Sequence, residues 1–260
     1  MLYYLWLQGK QMLALNQKGI KMKKKYFLVL DTETCGDVEK NPLVYDVGAQ
    51  IIDLHGNVLE SGSWVVYDIY VGLRDLMKTA YYADKLPQYE RDLKQGKRKM
   101  AKLYTIRKKL MKWVDKYEVE AICAYNARFD VRALNNTFKH TTNGKYYYFF
   151  PKKLAIIDIW HMAVIAICSM ESYCRMAYEH GYVTEKGNMR TTAEMVYAYL
   201  INCPDFEESH TGLEDVKIEV QIFLYCWKKT KPEQRVLRGN PWKIPQPYWN
   251  YVEAKREQLI

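Results

Sequence analysis

Two acidic side chains, Asp31 and Glu33, close the run Y-F-L-V-L-D-T-E-T at residues 26–34. Tyr26 to Leu30 is apolar and rich in aromatic and branched residues, which predicts a short buried strand. Residues two apart on an extended backbone share one side of the sheet, so both carboxylates point the same way. Such a pair just past a buried strand is a seat for a hard divalent cation. A strand that simply runs out into a polar turn has the same pattern, so the pair alone decides nothing.

Three more residues change the weight of that pair. Asp130 lies one turn into a predicted helix that opens at Asn126, after the apolar run V-E-A-I-C-A-Y at 119–125. Asp215 lies in the first turn of a helix opened by Thr211-x-x-Glu214, and His210 precedes that cap. All stand where an element meets a connection, which is where sites form in open α/β sheets. Four carboxylates and one histidine, without a cysteine ligand, match hard-cation chemistry better than zinc chemistry. Four acids can hold two Mg²⁺ or Mn²⁺ ions about 4 Å apart, the geometry of two-metal phosphodiester hydrolysis. A histidine on a loop, with an ordinary pKa of about 6.5, is suited to take the proton of an attacking water.

These residues need a scaffold, and its outline is legible. Tyr45 to Leu54 and Val58 to Tyr67 read as second and third strands, joined by a His55-Gly56-Asn57 turn. Three strands in succession predict an antiparallel meander. Asp68 to Lys94 is irregular and helical in pieces. Lys97 to Lys112 carries eight basic residues over an apolar stripe and predicts an amphipathic helix ending near Tyr117, with either a phosphate-contacting or a merely solvated outer face. A helix from Asn126 to about Phe138 follows, then a tyrosine-rich hairpin around Asn143-Gly144, a strand at 154–159 and a mostly helical stretch closed by Gly181. A capping box at Thr191 and Glu194 opens one further helix before the last. Strands first, then strands alternating with helices, predict an α/β domain with a mixed central sheet flanked by helices. The expected division is an extension at 1–22, the domain at 23–230 and a Pro- and Trp-containing tail at 231–260 with a short helix near Tyr251.

Composition sets the outer limits. The 260 residues carry a formal charge of +9, which suits a polyanionic partner without requiring one. Six cysteines without paired spacing read as reduced core thiols in a cytoplasmic protein. No apolar run reaches membrane-spanning length, so no membrane partner is expected. The 23 tyrosines fill sheets and also stack on bases, so their number decides nothing.

D-T-E-T at 31–34, Y-N-A-R-F-D at 125–130 and H-T-G-L-E-D-V at 210–216 together resemble the three motifs of the DnaQ-like (DEDDh) 3′–5′ exonucleases. Their order and contexts agree, and the five-residue step from His210 to Asp215 is that of the histidine variety. The resemblance covers roughly residues 25–230. It implies a ribonuclease-H-like fold, metals held by Asp31, Glu33, Asp130 and Asp215, and His210 as general base. It also implies contacts from the main chain near Thr32 and Thr34 to the 3′-terminal nucleotide, with Asn126 beside them. The implied activity is a metal-dependent 3′–5′ exonuclease on single-stranded DNA ends. The alternatives are a 3′–5′ exoribonuclease acting on RNA ends or short oligoribonucleotides and a non-catalytic nucleic-acid-binding or polymerase-associated module. A polymerase in trans and a homodimer are the implied protein partners. Asp158 with His161 looks like a site fragment; His55, His140 and His180 read as surface or satisfied histidines, and Phe129 as packing under the site. Tyr146, Tyr147 and Tyr148 read either as one face of the hairpin or as a base-stacking surface.

Overall fold

The computed structural model of the chain describes residues 24–37 and 39–235. Strand β1 spans Tyr26–Cys35, β2 Leu43–Asp53 and β3 Val58–Val66. A helical turn α1, Tyr67–Tyr70, leads through two 3₁₀ turns to helix α2, Leu86–Lys94. Then come the edge strand β4, Lys99–Ala101, helix α3, Leu103–Tyr117, strand β5, Ala121–Ala124, and helix α4, Ala127–Thr141. Strand β6, Ala155–Asp158, enters helix α5, Ile159–Ala163, which continues as a π-helical turn to Cys168. Helices α6, Glu171–Glu179, α7, Ala193–Leu200, α8, Gly212–Lys229, and the short α9, Pro232–Arg235, complete the described chain.

The six strands form one sheet in the order β4-β3-β2-β1-β5-β6. β1, β2 and β3 are the expected antiparallel meander, while β4, β5 and β6 each pair in parallel with their neighbours. The mixed sheet flanked by helices is the α/β architecture expected of the chain. Alternation along β1 divides the core in two. Leu28 and Leu30 pack with Ile106 and Leu110 of α3 and Leu134 and Phe138 of α4. Phe27 and Val29 pack with Met162, Val196, Val220 and Phe223 from α5, α7 and α8. Asp31 and Glu33 continue the second series, so they face α8.

Several expectations need correcting. β1 runs on past its two acids: β2 keeps pairing with it through Cys35, so Asp31 and Glu33 lie inside the strand, opposite Gly48 and Asp46. On its other side β1 pairs with β5 only through Val29, opposite Cys123. That early parting opens β1 at Asp31. The predicted basic helix begins later, at Leu103, because Lys99–Ala101 joins the sheet edge. The tract around Asn143-Gly144 is no hairpin: Asn143 and Gly144 take left-handed backbone in a turn, and Phe149 and Phe150 bury themselves against the helices. The cap of α7 is Thr192, whose hydroxyl accepts from the Met195 N–H, because Thr191 instead accepts from the Trp160 indole. The six cysteines are unpaired as expected, but Cys203 is exposed. The expected extension at 1–22 and most of the tail, with its short helix, lie outside the described residues. Among the described residues no helix is long and apolar enough to cross a membrane.

The start of α8 rests directly on the backbone of β2. A Cβ placed on Gly48 would come within 2.1 Å of the Gly212 carbonyl carbon and 2.3 Å of the Leu213 nitrogen. Only backbone is there to yield, and Asp215 is three residues further along. Gly48→Ala should therefore destabilise the protein by about 2 kcal/mol or more in urea denaturation and displace Asp215. A loss under about 0.5 kcal/mol would show that this seat is looser than its geometry.

Candidate active site

Asp31 and Glu33 from β1 and Asp215 from the first turn of α8 converge, each offering a carboxylate oxygen within 4.8 Å of the others. Asp130 comes from the first turn of α4, only 2% exposed, and accepts a 2.8 Å hydrogen bond from the Thr32 hydroxyl. Thr32 points away from Asp31 by strand alternation, so its side chain positions Asp130 from the α4 side. Asp130 and His210 stand outside the three-carboxylate cluster. Thr34 is buried one pair further along β1, beyond the register shift that follows Glu33.

The second motif is built by a sharp turn. Asn126 sits at the head of α4 in left-handed backbone, φ 63°, and its exposed side chain makes no cap bond. Its N–H donates instead to Asp158 Oδ1, and Asp158 also accepts from the His161 N–H to cap α5. Asp158 thus anchors the loop that aims Asp130, and its charge adds to burial, the main cause, in raising the Asp130 pKa. The third motif is held from behind. Gly212 N–H, the Tyr89 hydroxyl and Arg98 all donate to Asp46 Oδ2. Arg98 is 4% exposed and also binds Asp92, Ser63 and Glu214. It is therefore not part of a phosphate-contacting face; it ties β2, β3, α2 and α8 together. The Thr211 hydroxyl donates to Glu214 rather than capping the helix backbone.

Two acids join the site without sequence forecast. Glu219, 2% exposed, is one turn beyond Asp215 on the same face of α8, and its Oε2 has no hydrogen-bond partner among the described residues. It interrupts the apolar row of Val216, Val220 and Phe223, which was the available signal. Glu208 lies in the loop before His210, with its Oε2 3.9 Å from His210 Nδ1. His210 itself takes left-handed backbone, φ 54°, and stacks on Tyr82 with ring centroids 4.0 Å apart and planes 8° apart.

Burial raises every carboxyl here, and the acids raise one another. Burial, then Glu219 and Asp130, lift Asp31 well above the usual range, and Glu219 is lifted likewise. Burial, then Asp215, pushes Glu33 up to about 9; burial, then Glu208, pushes Asp215 to about 8. Burial holds Asp130 at about 7 despite its bond from Thr32, and Glu208 at about 7. Desolvation lowers the pKa of His210, which keeps its imidazole neutral near pH 7. An all-oxygen donor set with two buried oxygens, on Asp215 and Glu219, that lack a partner among the described residues fits hard divalent cations.

No protein-family model and no curated protein matches the sequence. Solved structures are similar to it in fold. The nuclease domain of 3′hExo, a DEDDh family member bound to rAMP, is 13% identical, over 84% of this chain and 96% of that one, with a TM-score of 0.49. A full-length 3′-exonuclease is 12% identical, over 86% and 94%, at 0.49. E. coli Exonuclease I in complex with a dA16 oligonucleotide is 14% identical, over 81% of this chain and 42% of that one, at 0.48.

Acids whose pKa rises on folding stabilise the fold only while protonated. Below about pH 4 they are protonated in both states; above that the unfolded chain releases protons the folded chain retains, so stability falls as pH rises toward the folded values. In chelator, the melting temperature should fall between about pH 5 and pH 9, and Asp215→Asn should flatten that fall and melt higher than wild type at about pH 8. A variant that melts lower than wild type there would contradict this electrostatic account.

Proposed function

We propose that the chain is a metal-dependent 3′–5′ exonuclease that releases nucleoside 5′-monophosphates from single-stranded DNA ends. The observation that carries the reading is the convergence of Asp31, Glu33 and Asp215, with Asp130 beside them and a neutral histidine on the adjoining loop. Asp31, Glu33 and Asp215 would hold one Mg²⁺ or Mn²⁺ ion, and Asp130 would support a second. Bound cations supply Lewis acidity for the attacking water and offset the charge gathering on the scissile phosphate.

The remaining work falls to the chain itself. Water attacks the terminal phosphorus, the bond to the 3′-oxygen of the preceding nucleotide breaks, and that oxygen takes a proton from solvent water to leave as a hydroxyl. His210 accepts the water's proton on a ring nitrogen, which its lowered pKa keeps available near neutral pH. Tyr82 stacks on one face of the imidazole and fixes its plane. Glu208, the acid close to Nδ1, stabilises the imidazolium that forms. The 3′-terminal nucleotide would lie where β1 has parted from β5 beyond Val29, near the main chain at Thr32 and Thr34 and the exposed Asn126.

The test is digestion of 5′-labelled single-stranded DNA and RNA of one sequence with Mg²⁺ or Mn²⁺. A ladder shortening from the 3′ end is expected, faster on DNA, absent in EDTA and with Asp31→Ala, and slowed about 10²–10⁴-fold by His210→Ala. Faster loss of RNA would reassign the substrate. Binding of both polymers without cleavage would overturn the enzyme reading in favour of a binding module.

A further inference from the structure

A groove of about 500 Å³ runs along α4. It is lined by Val131 and Asn135, the exposed Ile156 of β6, the basic Arg128, Arg132 and Lys139, and Tyr147 and Tyr148. Every charged residue lining it is basic. Both tyrosines are open to solvent, 59% and 51% exposed.

These rings are presented by a fixed base. Phe149 N–H donates to Asn135 Oδ1, the Arg107 side chain donates to the Phe149 carbonyl, and Phe149 packs edge-on against Phe138. Each exposed ring already has a cation beside it: Lys139 Nζ lies 5.2 Å from the Tyr147 centroid and Lys152 Nζ 4.5 Å from that of Tyr148. Exposed aromatic rings alternating with cations are what a single strand needs, bases stacking while phosphates meet the charges.

The groove also leads to the right place. Ala127 and Arg128, at one end, are three and two residues before Asp130 on the same helix. From Arg128 to Lys139 the helix rises about 16 Å, the span of about five stacked nucleotides at ~3.4 Å each.

We propose that this groove is the track for the nucleotides upstream of a single strand's 3′ end, with Tyr147 and Tyr148 stacking on bases and Arg128, Arg132 and Lys139 meeting phosphates. The inference rests on the exonuclease reading for its direction, and the test separates the two. Anisotropy in EDTA reads binding of fluorescein-labelled dT12 to the full chain, and hydrolysis of thymidine 5′-(p-nitrophenyl phosphate) with Mn²⁺ reads the chemistry without a strand. The pair Tyr147→Ala and Tyr148→Ala should weaken dT12 binding about tenfold or more. The pair Tyr147→Phe and Tyr148→Phe should bind like wild type, and both pairs should hydrolyse the ester within twofold of it. Unchanged dT12 affinity in the alanine pair overturns the groove while leaving the exonuclease reading intact. A loss in the phenylalanine pair as large as in the alanine pair also overturns it, because stacking needs only the ring. If wild type hydrolyses neither ester nor polymer but the alanine pair still loses dT12, the exonuclease reading fails and the groove stands as a strand-binding surface.

Discussion

Five carboxylates crowd the open stretch of β1, and they cannot all be charged there without a counter-charge. Asp31, Glu33, Asp130, Asp215 and Glu219 are each raised above the ordinary carboxyl range, first by burial and then by other acids. Arg98, the buried cation behind them, is committed to Asp46, Asp92 and Glu214. A fold that keeps such a cluster keeps an unfavourable arrangement, which costs stability whenever the acids ionise. Divalent cations are the natural remedy, since ligand atoms must be deprotonated to bind them.

The rest of the architecture serves that crowding. β5 leaves β1 after Val29, so β5 no longer pairs with the strand where its acids begin. Gly48 and Gly212 let α8 touch β2, which carries Asp215 and Glu219 over Asp31 and Glu33. Thr32 turns to the other side of the sheet and holds Asp130, while Asp158 ties down the turn that aims it. One strand therefore positions acids from both layers of helices. The loop before α8 adds His210, its ring plane set by Tyr82 rather than by a bond.

Much of this was legible because the signals are local. Apolar runs marked β1, β2 and β5, and Thr211 with Glu214 marked the head of α8. Asp31 and Glu33 were readable as a same-side pair whether or not the strand continued past them. What escaped depended on partners distant in sequence. Arg98 looks like one more surface cation until the fold closes around it, and its bond to Glu214 spans 116 residues. Tyr82 is one tyrosine among many, and nothing near it points to residue 210. The turn at Asn143-Gly144 carries hairpin chemistry, but Phe149 and Phe150 are drawn into the core and the strands do not form. Glu219 left the clearest missed trace, a charge set in an apolar helical row one turn from Asp215.

The most direct test of a cation-requiring carboxylate cluster is a titration of the full chain with Mn²⁺ near neutral pH, followed by the spin resonance of free Mn²⁺ and by proton release. The account predicts saturable binding that liberates protons from the raised carboxyls and is weakened in both Glu33→Gln and Asp215→Asn. Wild-type binding without proton release, or binding that neither substitution weakens, would contradict it.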